Sequence, residues 1–207
     1  MKQVSSTKFL GIHIDEHLTF KYHTEHILTK ISRSIGLLFK LNHFLPQNIL
    51  LTLYNTLILP YFNYGIILWH NTSNIVLNRI ITAQKKAIRA ICKLDFNAHT
   101  NTSFKNLEIL KIHDLYKLNL CATKLKQIKN PAIYAISDRF IRNSDFHNYP
   151  TRNRNNFSIP LYSRTYSQSC YLYQASHEYN NLPVQLKDCS SVHLFRKKFK
   201  KFAIDQY

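Results

Sequence analysis

Acidic residues are scarce in this chain. Eleven Asp and Glu stand against 28 Lys and Arg, which leaves a formal net charge of +17 and a pI near 9.8. Metal-dependent phosphoryl chemistry needs carboxylates held close together. Here Asp15, Glu16, Glu25, Asp95, Glu108, Asp114, Asp138, Asp145, Glu178, Asp188 and Asp205 are spread along the sequence. The one adjacent pair, Asp15-Glu16, lies where the chain alternates like a strand, so its two side chains point to opposite faces. Glycine is scarcer still. Gly11, Gly36 and Gly65 cannot make a phosphate-cradling loop, and neither G-x-S-x-G nor H-E-x-x-H occurs. The cysteines, Cys92, Cys121, Cys170 and Cys189, form no C-x-x-C pair, which argues against a zinc site. Their spacing leaves disulfides open, but a 24.5 kDa chain with a core does not need them, so free thiols in a reducing compartment are expected. Among the scattered histidines, His13, His17, His23 and His26 come nearest to a cluster. His13 falls on a strand and the last two on a helix, so structural histidines are the simpler reading than a metal site.

Charge of either sign is missing between Lys40 and Arg79, and Ile49 to Trp69 is mostly apolar. About 20 apolar residues suffice to span a bilayer. Asn55 and Asn63 would be costly there without partners, Pro60 would break the backbone ladder, and both flanks are basic. A helix apolar all round also suits the centre of a helical domain, so a buried core is expected and a membrane span of about 49–69 is the lesser alternative. Lys2 is followed by polar Gln3, Ser5, Ser6 and Thr7, without the apolar stretch of a signal peptide. An intracellular location, nucleus or cytoplasm, is therefore expected.

What is present is a globular composition, 45% apolar over 207 residues, enough for one domain or two small ones. The basic surplus makes a polyanion the expected partner, nucleic acid before an anionic membrane, although a solvated basic surface would look the same.

Periodicity predicts a mainly α fold with a little β at the start. Phe9 to Asp15 alternates and reads as a strand, in which Gly11 marks a close approach or a bulge. Tyr22 to about Asn42 reads as a helix, with Ile27, Ile31, Ile35, Leu38 and Leu41 inward and Lys30, Arg33 and Lys40 outward. A second helix runs from Pro46 to Leu59, where Pro60 stops it, and a shorter helix or turn carries Tyr61 to Trp69. Ser73 or Asn74 caps a third helix to Cys92. Its inward stripe, Leu77, Ile80, Ile81, Ile88 and Ile91, is interrupted by polar Gln84, and Arg79, Lys85, Lys86, Arg89 and Lys93 crowd the rest. A short helix near Phe104 to Leu110 and a longer one from Asp114 to about Lys129 follow. Asn130-Pro131 opens one more, to about Ile141. From Asn143 to Ser169 periodicity fades among Asn, Ser, Arg, Tyr and Pro. Helix returns near Gln174 to Asn180 and from Ser191 to Tyr207, where Arg196-Lys197-Lys198 and Lys200-Lys201 oppose Leu194, Phe195, Phe199 and Phe202.

Three stretches, in this order, carry a family likeness: Lys8-Phe9-Leu10-Gly11-Ile12-His13-Ile14-Asp15, the run Leu53 to Trp69 with its L-P-Y-F-N-Y-G, and Ala83-Gln84-Lys85-Lys86-Ala87-Ile88-Arg89. Together they resemble the region after the active site in reverse transcriptases of non-LTR, jockey-like retrotransposons. The first looks like the strand pair that holds the primer end, and the rest like the thumb and the helices beyond it. The resemblance implies a palm edge over 1–20, a helical thumb-like bundle over 21–142 and a loop-rich, partly helical basic extension over 143–207. It also implies an RNA–DNA or DNA duplex, bound without sequence preference, as partner, together with palm and fingers that are missing here. Mg2+ would be expected only in that absent palm, whose Asp pair the family carries just before the K-F-L-G strand, so the isolated chain is expected to be inactive as a polymerase. By this likeness Lys8 and Gly11 belong near the primer end, while Lys30, Arg33 and Lys40 on one helix and Arg79, Lys85, Lys86, Arg89 and Lys93 on another contact the duplex. Each basic set would serve equally as an ordinary surface face. Tyr54, Tyr61, Tyr64 and Trp69 could stack bases but suit core positions better. Tyr179-Asn180-Asn181-Leu182-Pro183 matches a family W-N-x-L-P feature in part, with Tyr179 where Trp is usual. A non-catalytic binding or scaffold product of a decayed element would carry the same sequence.

Overall fold

Ser6 to Asp15 does not stay extended as a single strand. Leu10 and Gly11 both adopt positive φ, 45° and 81°, the two-residue geometry that matches the twist of an antiparallel hairpin. In the computed structural model, which describes residues 4–133, 139–146 and 148–207, β1 (Ser6–Phe9) therefore pairs with β2 (Ile12–Asp15), with Phe9 opposite Ile12 and Ser6 opposite Asp15. The alternation from Phe9 to Asp15 spans the turn and does not belong to one strand. Every residue of β1 is exposed, whereas Ile12 and Asp15 of β2 are buried.

The rest is helical, as expected of a mainly α chain. Helix α1 (Lys21–Leu41) buries Ile27, Leu28, Ile31, Ile35 and Leu38. Helix α2 (Gln47–Leu57) ends two residues earlier than expected, with Ile58 as its cap, and Pro60 does not stop a helix. It occupies the first turn of α3 (Leu59–Asn63), where its missing N–H has no intrahelical partner to lose. Gly65 then turns the chain into α4 (Ile66–Trp69) at φ 63°. That φ favours glycine, and a Cβ there would lie 2.6 Å from Cδ1 of Ile12, so the Ile12 side chain would have to shift to accept any other residue. Helix α5 (Asn74–Cys92) packs on α1 more extensively than any other helix pair. After it come α6 (Asn101–Asn106), α7 (Ile112–Lys129), a 3-10 turn at Pro131–Ile133, α8 (Thr165–Gln168), α9 (Tyr171–Asn180), α10 (Val184–Lys187) and α11 (Val192–Asp205). Part of the helix expected to about Ile141 lies outside the described residues. No helix among the described residues is long and apolar enough to cross a membrane. The charge-free run is instead broken into three helices whose Leu50, Tyr54, Ile58, Phe62, Ile66 and Trp69 are all buried.

The chain divides into two compact units, Met1–Tyr116 with Ala203–Tyr207, and Lys117–Phe202. Gln84 of the first unit, 1% exposed, is a structural hub. Its Nε2 donates to the Tyr54 hydroxyl (3.2 Å) and to the Leu110 carbonyl (2.9 Å), and its Oε1 accepts from the Ile112 N–H (3.2 Å). The polar residue that interrupts the α5 stripe thus satisfies backbone groups at the α7 entrance that would otherwise be orphaned. In the second unit Asn180 plays the analogous part. Its Oδ1 accepts from the Phe157 N–H (2.9 Å) and its Nδ2 donates to the Phe157 carbonyl (2.8 Å), while the Tyr179 ring meets the Phe157 ring edge-on at 5.7 Å. This gives the Tyr179-Asn180 part of the partial W-N-x-L-P feature a physical role: it fixes the irregular segment around Phe157. All four cysteines are unpaired.

Candidate functional site

Packing of α1 on α5 leaves a groove of about 580 Å3 in the first unit. Leu28, Ser32, Ile35, Gly36 and Phe39 of α1 form one wall, and Asn78, Arg79, Thr82, Ala83 and Lys86 of α5 the other. The α5 positions recur at three- and four-residue spacing, so one face of the helix presents Arg79 and Lys86 with Thr82 and Ala83 between them and Asn78 beside Arg79. Ser32 and Gly36 keep the facing wall low. The Arg79 guanidinium lies 3.9 Å from the Glu25 carboxylate, with both side chains solvated, so the pair is weak and leaves Arg79 able to engage another anion. Lys86 Nζ lies 5.9 Å from the Phe96 ring centre, an arrangement that tethers the ammonium without neutralising it.

The other sequence-predicted residues are distributed differently. Lys85 is exposed, one position round the helix from Lys86. Arg89 is half-buried and donates from Nε to the Ala98 carbonyl (3.0 Å), so it braces the loop after α5. Lys93 terminates α5 in the left-handed conformation, φ 54°. On α1, Lys30, Arg33 and Lys40 do not line the groove. At roughly 100° per residue they fall on a stripe with His26, on the far side of the helix from Leu28, Ser32 and Phe39. Lys8 is exposed on β1 and Gly11 is in the hairpin turn. Of the expected residues, then, only Arg79 and Lys86 line the groove, Lys30, Arg33 and Lys40 share the α1 stripe, and Lys8 lies near enough to His26 on that stripe to act on it electrostatically.

A smaller pocket, about 290 Å3, lies where the hairpin meets α1 and α3 and is lined by Gly11, His23, His26, Ile27, Pro60, Tyr61 and Tyr64. The Tyr64 hydroxyl donates to the Leu10 carbonyl and so ties the hairpin turn to α3. His23 is 2% exposed, and neither of its ring nitrogens has a hydrogen-bond partner. Burial, reinforced by His13 and His26, pushes its pKa down to about 4. His26 is also held below the usual value, by burial first and then by the charges of His13, Lys30 and Lys8. The His13 ring sits 6.3 Å from that of His23 and 5.2 Å from that of His26. The fold thus assembles three histidines that the sequence separates. Still, no group of three or more His, Cys, Asp or Glu among the described residues could hold a metal ion. Asp15 is likewise committed to structure. Burial works to raise its pKa, but the Thr19 N–H (2.9 Å) and hydroxyl (3.0 Å) bind the carboxylate and hold it below the usual range.

Of the four aromatics considered as stacking platforms, Tyr54 and Trp69 are fully buried, and Trp69 Nε1 donates to the Tyr64 carbonyl (2.8 Å). Tyr61 and Tyr64 remain partly exposed, at 38% and 53%. Sequence analysis placed His23 in a loose histidine cluster but did not link it to Tyr61 and Tyr64. Its position three residues before His26, on the edge of the apolar stripe, was the available signal.

No protein-family model matches the chain, and no solved structure matches it. Among curated proteins it is similar to a "Probable RNA-directed DNA polymerase from transposon X-element" of Drosophila melanogaster, 27% identical over 116 residues. That stretch is 54% of this chain and 13% of the fly protein, so the chain spans a small part of its relative's length. The likeness supports a reverse transcriptase relationship.

Proposed function

We propose that this chain is a nucleic-acid-gripping segment of a retrotransposon reverse transcriptase, non-LTR in type, in which the hairpin and helices of the first unit serve as palm edge and thumb. In this reading the α5 face of the groove lies along the backbone of an RNA–DNA or DNA duplex, and Lys8 with the α1 stripe supplies a second set of phosphate contacts. Such contacts position a duplex without reading its sequence. The observation that carries the reading is the pairing of Arg79 and Lys86 in one groove of a chain that is similar to a transposon RNA-directed DNA polymerase. The net charge of +17 points the same way. Polymerisation and its Mg2+ would belong to a palm outside this sequence, and no catalytic step is derived for the residues described.

The test is binding of a fluorescent RNA–DNA hybrid across a salt series. Affinity should fall steeply with salt and be alike for unrelated sequences. Arg79→Gln and Lys86→Gln should each lower the log–log salt slope by about 1. Unchanged slopes in both variants, or primer extension by the chain alone with Mg2+, would overturn the proposal.

A further inference from the structure

The pocket between the hairpin turn, α1 and α3 has no part in gripping a duplex backbone, yet it has the marks of a binding site. None of its lining residues carries a fixed charge, which disfavours a phosphate or carboxylate inside it. Its walls are apolar or aromatic: Ile27, Pro60, the face opened by Gly11, and the rings of Tyr61 and Tyr64. One buried polar side chain, His23, enters this lining with both nitrogens unpartnered. A neutral imidazole offers one donor and one acceptor. Leaving both unused in a buried place costs free energy that a suitable ligand would recover. The volume, about 290 Å3, lies at the lower limit for ligand sites, which suits a planar ring system and not a whole nucleoside triphosphate. Lys8 and Lys30 act electrostatically on His26, one of the lining residues, so positive charge lies near an uncharged cavity.

We propose that this pocket receives one unpaired nucleobase of a bound nucleic acid strand, held by His23 and the Tyr61 and Tyr64 rings, with Lys8 and Lys30 taking the phosphates on either side. The chemistry recognised is that of a neutral, planar heteroaromatic with a donor and an acceptor on its edge, and base stacking on aromatic side chains supplies most of the gain. A free nucleoside shares that chemistry but lacks the flanking phosphates, so it would bind far more weakly. The inference rests on the nucleic-acid reading above and shares Lys8 and Lys30 with it, but its base contacts, His23, Tyr61 and Tyr64, have no part in that reading.

The experiment compares three hybrids of the same sequence: fully paired, carrying one unpaired 2-aminopurine, and carrying an abasic residue at that position. Anisotropy should show the unpaired base binding about tenfold tighter than the abasic hybrid, with a change in 2-aminopurine fluorescence. His23→Phe, which keeps the ring and removes its nitrogens, should reduce this preference severalfold by removing the hydrogen bonds alone, and leave binding of the paired hybrid intact. Tyr61→Ala, at a partly exposed position, should reduce the preference without loss of fold, as checked by circular dichroism. Equal affinity for the abasic and base-bearing hybrids would overturn the proposal, as would tight binding of a free nucleoside. Failure of the groove reading would look different: the salt slope for the paired hybrid would ignore Arg79 and Lys86 while the base preference survived.

Discussion

Replacing Gln84 by leucine should cost the first unit far more than its single side chain suggests. The amide makes three hydrogen bonds in a site 1% exposed, to the Tyr54 hydroxyl, the Leu110 carbonyl and the Ile112 N–H. Leucine is close in size, so the loss is not one of packing volume. It leaves three buried polar groups unpaired, each worth about 1–3 kcal/mol, and mutual relaxation should bring the total to about 3–5 kcal/mol. Tyr54→Phe alone removes one acceptor and should cost about 1 kcal/mol, since the amide keeps its backbone partners. The double variant should be less destabilised than the sum, because the phenol that Gln84→Leu orphans is no longer there. Urea unfolding, followed by circular dichroism and the fluorescence of buried Trp69, measures all three. A Gln84→Leu cost below about 1 kcal/mol, or strict additivity in the double variant, would refute the account.

Three further outcomes are expected. In the second unit Lys124 is fully buried, donates to the Ser176 hydroxyl (2.9 Å), and is pushed from 10.5 to about 7 by burial. An unfolded lysine keeps its proton to higher pH, so stability should rise from about pH 7 to 10.5. The gross penalty at neutral pH is about 4 kcal/mol. The Phe140, Phe157 and Tyr179 rings, at 4.3, 3.7 and 5.5 Å, offset part of it by favouring the charged form. Lys124→Met should therefore stabilise by about 1–2 kcal/mol and flatten that pH slope, and thermal melts at pH 7 and 9.5 check it. His23 acts in the same sense in a lower pH window. Its folded pKa of about 4 lies below the ordinary 6.5, so its contribution is present above 6.5 and is lost as pH falls toward 4, by about 3 kcal/mol. Denaturation at pH 7 and 4.5 should show that loss in the wild type and a smaller one in His23→Phe. Finally, Leu10→Asn should stabilise the hairpin by about 1 kcal/mol, because Leu10 holds φ 45° and asparagine tolerates that region far better. It also removes an apolar side chain 73% exposed beside Phe9 on an open strand edge, so aggregation at high concentration should decrease.

By itself the sequence determined what depends on local pattern. The α1 stripe of Ile27, Ile31, Ile35 and Leu38 and the extent of α5 follow from helical periodicity, which is set by backbone geometry regardless of partners. The scarcity of carboxylates and the basic surplus are likewise composition. Tertiary structure decided where local preferences compete. Period-2 alternation runs through Leu10 and Gly11 unbroken, and the paired φ values of the turn, visible only in three dimensions, make it a hairpin. Pro60 is compatible with either the end or the start of a helix, and packing of Ile58 and Phe62 selected the start. The candidate site depended on tertiary structure most. Lys30, Arg33 and Lys40 look equivalent to Arg79 and Lys86 as charges on helices. Only the crossing of α1 on α5 puts Arg79 and Lys86 in a groove and leaves the α1 lysines and arginine on another face, and only the meeting of the hairpin, α1 and α3 brings His23, separated from Tyr61 and Tyr64 by long stretches of chain, into one pocket with them.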